Sequence, residues 1–333
     1  MRNQRIRVEA EVSSWMDPDY TMKNVVLAEK AGFEGAWFGD HFLPWQHSFK
    51  YAFYVWTAMA AAAERTRRIP VCSSVTTPIG GRYHPAIVAQ AVGTLDATWP
   101  GRFRVGVGSG EAVNEIPFMG RWPPWRERID RLVEGLELMR RLWTSKRYFD
   151  FEGRYFPMKD AFLYVKPKTR VQVYFSAIGE KAAEIAGRHG DHLYTLNQVE
   201  ACRDVTFPAF ERGAEKAHKD RSKMEKVAVI GGGLVDLKGA VRNIRRWNIG
   251  AAKIENFSKA DPRAIENSGK DVPDDWIYEH YYLCEKGAEM IEVIDRYRKI
   301  GTDAFVFADM SPDPRKTIEV FRKEIIPYFK TKR

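Results

Sequence analysis

Apolar runs of strand length alternate along this chain with longer stretches of helical periodicity. Eight runs carry the strand pattern: "IRVEAEV" (6–12), "GAWFG" (35–39), "PVCSSV" (70–75), "RFRVGV" (102–107), "VQVYFSA" (171–177), "HLYTL" (192–196), "KVAVIGGGL" (226–234) and "AFVFA" (304–308). The stretches between them are amphipathic. "DYTMKNVVLAEKAG" closes on Gly32, a helix C-cap signal. "HPAIVAQAVGTLDATWPG" opens with Pro85 at a first helical position. "WRERIDRLVEGLELMRRLW" sets Ile129, Leu132, Val133, Leu136, Met139 and Leu142 mostly on one face. Eight strand–helix units in 333 residues predict one (β/α)8 TIM barrel domain over residues 1–333.

Two segments break the rhythm and read as insertions. Residues 144–170 contain "YFDFEGRYFPM", with alternating aromatics about Glu152-Gly153, and predict a hairpin. Residues 248–283 are long and charged, with two prolines and several aromatics, and predict a wall or lid near a site.

Composition narrows the setting. The apolar content of 44% and charged content of 29% describe an ordinary globular chain. No apolar run reaches the roughly 20 residues that cross a bilayer, and "MRNQRIRVEAEV" has no apolar signal core. Cys72, Cys202 and Cys284 are odd in number and far apart, which predicts reduced thiols and a cytoplasmic location. The net charge of +9 is spread along the chain with acids interspersed, so no basic stripe for nucleic acid is predicted.

In a parallel barrel, chemistry gathers on the loops after the strands. The unusual residues fall there. "GDHFLPWQH" follows the second run, Ser74 and Val75 end the third, "GSGEAVNE" follows the fourth, "SAIGEK" the fifth, and Thr195 ends the sixth. The glycines Gly106, Gly108 and Gly110 are spaced G-x-G-x-G, and Glu111 occupies the place of a third dinucleotide-fingerprint glycine, so that reading fails. The turn instead offers close backbone approach to a flat ligand. Gly179 opens a helix whose free N–H groups suit a phosphate. His41 is the acid–base candidate, with Asp40 and Glu111 to tune it. "HGDH" (189–192) falls at the opposite end and reads as structural, and His47 as a loop residue. No cluster supports a metal site.

"GFEGAWFGDHFLPW", "SSVTTPIGGRYHPAIVAQAVGTLDATWPGRFRVGVGSGEAVNE" and "YFSAIGEKAAEIAGRHGDHLYTL" resemble the luciferase-like family, in its branch that uses the deazaflavin coenzyme F420. The resemblance is to F420-dependent alcohol dehydrogenases and F420-dependent glucose-6-phosphate dehydrogenases. It implies a homodimer with F420 in the barrel mouth. By that resemblance Asp40 contacts the deazaflavin, and Ser74 and Val75 flank a non-proline cis peptide behind the ring. Gly110, Glu111, Ala112, Asn114, Ala177, Ile178, Gly179 and Thr195 bind the cofactor, and His41, Trp45 and Glu111 serve catalysis. Two positions that hold a substrate phosphate in sugar-phosphate members match Gln198 and His280 here, which favours a small secondary alcohol or its ketone over a sugar phosphate. The alternatives are a sugar-6-phosphate dehydrogenase, a methylene-tetrahydromethanopterin-type F420 reductase, an FMN-dependent monooxygenase and a non-catalytic flavin-binding protein.

Overall fold

The first strand has strict alternation, and it folds the reverse of an exposed strand. In β1 (Arg7–Val12) the apolar residues Val8 and Val12 face outward into the helix-covered core, while Arg7, Glu9 and Glu11 turn into a barrel interior. The computed structural model describes residues 5–247 and 253–331. We number the barrel strands β2 (Ala36–Phe38), β3 (Val71–Thr76), β4 (Phe103–Val107), β5 (Gln172–Ser176), β6 (His192–Thr195), β7 (Lys226–Leu234) and β8 (Ala304–Asp309). Each pairs in parallel with the next, and β8 closes onto β1. The eight runs read from sequence are these eight strands, and a closed parallel barrel with surrounding helices is the fold.

Helices follow the expected signals. Asp17 caps Pro18–Ala31, which ends on Gly32 at φ 94°. Pro85 begins Pro85–Thr98, and the 20-residue helix Trp125–Thr144 buries Ile129, Leu132, Leu136, Met139 and Leu142. The outer core between strands and helices is continuous, and a smaller inner cluster of Trp37, Cys72, Tyr174, Tyr194, Val229 and Val306 fills the barrel.

A closed charge network crosses the lower interior. Glu9 accepts from Trp37 Nε1 (2.6 Å), Arg104 Nη1 (2.9 Å) and Arg7 Nε (2.9 Å). Arg7 also forks onto Glu225 at 2.9 and 2.8 Å, and Tyr174 Oη donates to Glu225 at 2.7 Å. Burial opposes ionisation of Glu9, but Arg104, Arg7 and Trp37 outweigh it and hold the carboxyl below its usual range.

Both insertions are present. Phe149–Phe151 pairs antiparallel with Met158–Ala161 as the predicted hairpin. The later one contains a short 3-10 turn (Ile254–Ser258), helices Pro262–Asn267 and Asp274–His280, and a strand, Tyr282–Cys284, that extends β7 in parallel. Positions 248–252 of it lie outside the described residues. Phe257 packs on Trp45 with ring centroids 5.3 Å apart, so this insertion does form a wall of the site.

Among the described residues no helix is long and apolar enough to cross a membrane, and no group of three or more His, Cys, Asp or Glu is placed to hold a metal ion. His192 of "HGDH" is tied to Gln172 and to the Glu225 amide on the far side of the barrel, as the structural reading required.

Candidate active site

The C-terminal ends of the strands enclose a cavity of about 690 Å³, within the range of small-molecule sites. It is lined by His41, Trp45, Ser74, Val75, Gly110, Glu111, Asn114, Ala177, Ile178 and Gly179, which come from the ends of four strands. Two further expected contacts do not reach it. Ala112 and Thr195 are wholly buried behind it, and Thr195 Oγ1 instead accepts from the Asn197 amide at 3.4 Å. Asn197, two residues on, lines the cavity in its place. The Asp40 side chain has no exposure, and the residue meets the cavity through its main chain.

Gly106 and Gly108 serve the bulge more directly than the ligand. The β3–β4 register shifts between Ser73 and Thr76, and the Ser74–Val75 peptide is cis. A Cβ on Gly106 would lie 2.1 Å from the Ser73 carbonyl oxygen, and one on Gly108 would lie 2.6 Å from Val75 Cγ2. The glycines thus let Val75 protrude into the cavity, where Ser74 Oγ hydrogen-bonds Tyr194 Oη. Gly110 takes φ 82°, the left-handed region that favours glycine.

Asp40 is an anchor. Its oxygens receive Arg82 Nη1 (2.8 Å), Thr76 Oγ1 (2.7 Å) and Tyr83 Oη (3.0 Å). Burial pushes this carboxyl upward, against the pull of Arg82 and the two hydroxyls. The loop so pinned carries His41. That ring stands edge-on to Trp15 (5.1 Å) and tilted to Trp45 (5.4 Å). Its Nδ1 lies 3.1 Å from the Leu43 carbonyl oxygen and 3.0 Å from Asn114 Nδ2, and its Nε2 is 3.5 Å from Glu111 Oε2. Asn114 is itself oriented, because its Oδ1 accepts from the Phe42 amide at 2.9 Å and its Nδ2 donates to Glu111 at 3.1 Å.

His41 and Glu111 are close enough for an ion pair, yet both are neutral near pH 7. Burial lowers His41 to about 4, with Arg82 adding to the effect against the Leu43 contact. Burial raises Glu111 to about 8, helped by Glu115 and opposed by the Asn114 hydrogen bond. Glu111 keeps 27% side-chain exposure, but that surface is the cavity. As N-cap of Ala112–Met119 it makes no capping bond, so its side chain is free for the site. With Nδ1 able to donate to Leu43 or accept from Asn114, Nε2 can gain or release a proton while the ring stays held.

The other end of the cavity suits an anion. Gly179 is the N-cap of Glu180–His189 with no side-chain capping bond, and a Cβ there would meet nothing within 4 Å. Ala177, Ile178 and Ala182 of the first turn line this space, and a helix N-terminus carries N–H groups without intrahelical partners. A planar ligand against Val75 with an anionic tail at Gly179 fits the residues present.

Sequence reasoning missed Glu11, Trp15, Arg128 and Tyr281, which also line the cavity. Gln198 and His280 do not line it. Gln198 Nε2 donates to the Glu279 carbonyl at 2.9 Å, and His280 is exposed and stacked on Trp276 at 3.8 Å.

The family model for luciferase-like monooxygenases matches residues 2–304. The chain belongs to this family. Within the family it is 34% identical over 316 residues to the F420-dependent glucose-6-phosphate dehydrogenase of Rhodococcus erythropolis, covering 93% of each chain. It is 35% identical over 308 residues to that of Nocardia farcinica, covering 91% of each. Among solved structures, an F420-dependent secondary alcohol dehydrogenase in complex with an F420–acetone adduct aligns with TM-score 0.93 and 37% identity, over 98% of this chain and 99% of that one. The coenzyme F420-dependent tetrahydromethanopterin reductase of Methanopyrus kandleri shares the fold at TM-score 0.77 and 19% identity, over 98% and 99%.

Proposed function

We propose that this protein is an F420-dependent dehydrogenase that oxidises an unphosphorylated secondary alcohol, or reduces the corresponding ketone. The observation that carries the substrate class is the cavity's charge. Arg128 is the one lysine or arginine among its described lining residues, and it lies over Trp122 (3.8 Å) with Nη1 donating to the Pro123 carbonyl oxygen at 2.7 Å. The end holding His41 is walled by Trp15, Trp45 and Phe257, with no cation for a substrate phosphate. Lys253 donates to the Ser268 carbonyl oxygen (3.3 Å) and Lys259 is absent from the lining. The likeness to the secondary alcohol dehydrogenase supports the same reading.

Oxidation of an alcohol releases a hydride and a proton. Bound F420 supplies the hydride acceptor, at its C5 carbon. The Val75 bulge backs the ring, and the turn at Ala177–Gly179 with the helix N-terminus holds the tail. His41, neutral and with Nε2 towards Glu111 and the cavity, takes the hydroxyl proton. Glu111 carries a proton at neutral pH, and its release as His41 becomes charged would leave a neutral pair overall. Trp15 and Trp45 hold the imidazole in place and exclude water around the carbinol.

The test is binding and turnover with purified protein. F420 binds in preference to FMN, and F420 absorbance falls with 2-propanol or 2-butanol but not with glucose 6-phosphate. Binding of FMN alone, or turnover of glucose 6-phosphate in preference to the alcohols, overturns the reading.

A further inference from the structure

Glu11 has no part in the chemistry above, yet it faces the cavity. It is one inward step above Glu9 on β1, and unlike that of Glu9 its side chain makes no hydrogen bond or ion pair among the described residues. Its surroundings are shaped by the barrel register. Ala10 is level with Phe307 and Ala308 is level with Gly231, so Glu11, Ala308 and Gly231 form one inward row over β1, β8 and β7. All three line the cavity. The small side chain of Ala308 leaves a recess beside the glutamate, and the Tyr281 ring packs over Gly231, 3.0 Å from where a Cβ would stand, to wall it on that side. Among the described residues Tyr281 makes no hydrogen bond through its hydroxyl either. Val229 and Met310 are apolar neighbours, and Tyr194, whose hydroxyl hydrogen-bonds Ser74, stands close enough to feel the Glu11 charge. A carboxyl and a phenol that make no hydrogen bond in a largely buried recess are costly unless a ligand completes them.

We propose that Glu11 is a specificity-determining residue, and that its recess takes a second hydroxyl group of the alcohol substrate. This rests on the reading of the site as an alcohol dehydrogenase and narrows the substrate to a neutral diol or polyol. Burial raises Glu11 to about 7, so at neutral pH the carboxyl is present in both protonation states. A hydroxyl both donates and accepts and pairs with either state, whereas an ammonium group requires the ionised one.

The test compares 2,3-butanediol with 2-butanol in wild type, Glu11→Gln and Glu11→Ala, each checked for native melting. In wild type kcat/KM favours the diol by about tenfold or more, and Glu11→Ala removes most of that preference, with Glu11→Gln between them. The dissociation constant of F420 stays within about twofold, since Glu11 is assigned to the substrate. Calorimetric binding of 2,3-butanediol, with and without F420, weakens by a similar factor in Glu11→Ala. An unchanged diol preference and diol affinity in the variants overturns the proposal, as does a stronger preference for 1-amino-2-propanol or a loss confined to F420 affinity. If wild type neither binds F420 nor oxidises any alcohol, the dehydrogenase reading fails, and diol calorimetry still decides whether Glu11 binds hydroxyls.

Discussion

Two layers of ionisable side chains cross the barrel, and they differ in what surrounds them. In the lower layer Arg7, Glu9, Arg104 and Glu225 satisfy one another, with Trp37 and Tyr174 filling the remaining acceptor positions. Two positive and two negative groups remain charged there. In the upper layer His41, Glu111 and Glu11 have few partners, and burial drives them towards neutrality. The same interior thus holds ions in one layer and groups pushed towards neutrality in the other. Among these groups, opposite charge within reach makes the difference: Glu9 and Glu225 have arginines, whereas His41 feels Arg82 and Glu111 feels Glu115.

Breaking the lower layer should cost the most. Arg104→Met leaves Glu9 with one of its two cations, and the expected loss of unfolding free energy is about 3–5 kcal/mol, read from urea denaturation. In the upper layer His41→Ala should spare stability but lower kcat by about 10²–10⁴-fold, with F420 affinity retained. Normal turnover by that variant would remove His41 from proton transfer.

The pH response separates the layers further. Glu111 sits at about 8 against an ordinary 4.5, so over that window the folded protein keeps a proton the unfolded chain has released. Stability therefore falls as pH rises from about 4.5 to about 8, and Glu111→Gln should melt with a shallower decline across it. A variant with the wild-type slope would mean that Glu111 is already ionised. In rate profiles, Glu111→Gln should also lose the upper limb of kcat/KM near 8, while the lower limb near 4, set by His41, persists. The smallest effect expected is for Tyr194→Phe, which removes one neutral hydrogen bond to Ser74. It should cost about 0.5–1.5 kcal/mol in thermal unfolding, below the loss from Arg104→Met.

The strands were legible because each is a short apolar run closed by turn residues. The rim was legible because its residues follow those runs directly. Glu11 was hidden by a general rule that the barrel inverts: alternation normally sends charge to solvent, but here helices cover the outside and the charged face turns inward. Trp15, Arg128 and Tyr281 reach the cavity from loops and a distant helix, a placement that local pattern does not encode. Thr195 and Asn197 show the finer limit. Both lie at the end of β6, and only side-chain direction decides which of them a ligand meets.

The Phe257–Trp45–His41 stack has a consequence for how such a site is remodelled. Phe257 belongs to the late insertion, whose Glu266 also accepts from the Ser48 amide at 3.1 Å, so one segment braces the loop bearing the reactive imidazole. The cavity wall and the support of the His41 loop are thereby carried on one piece of chain. Lengthening or exchanging residues 253–280 would therefore reshape that wall and shift the His41 loop together, while the strand ends beneath keep their own pairing.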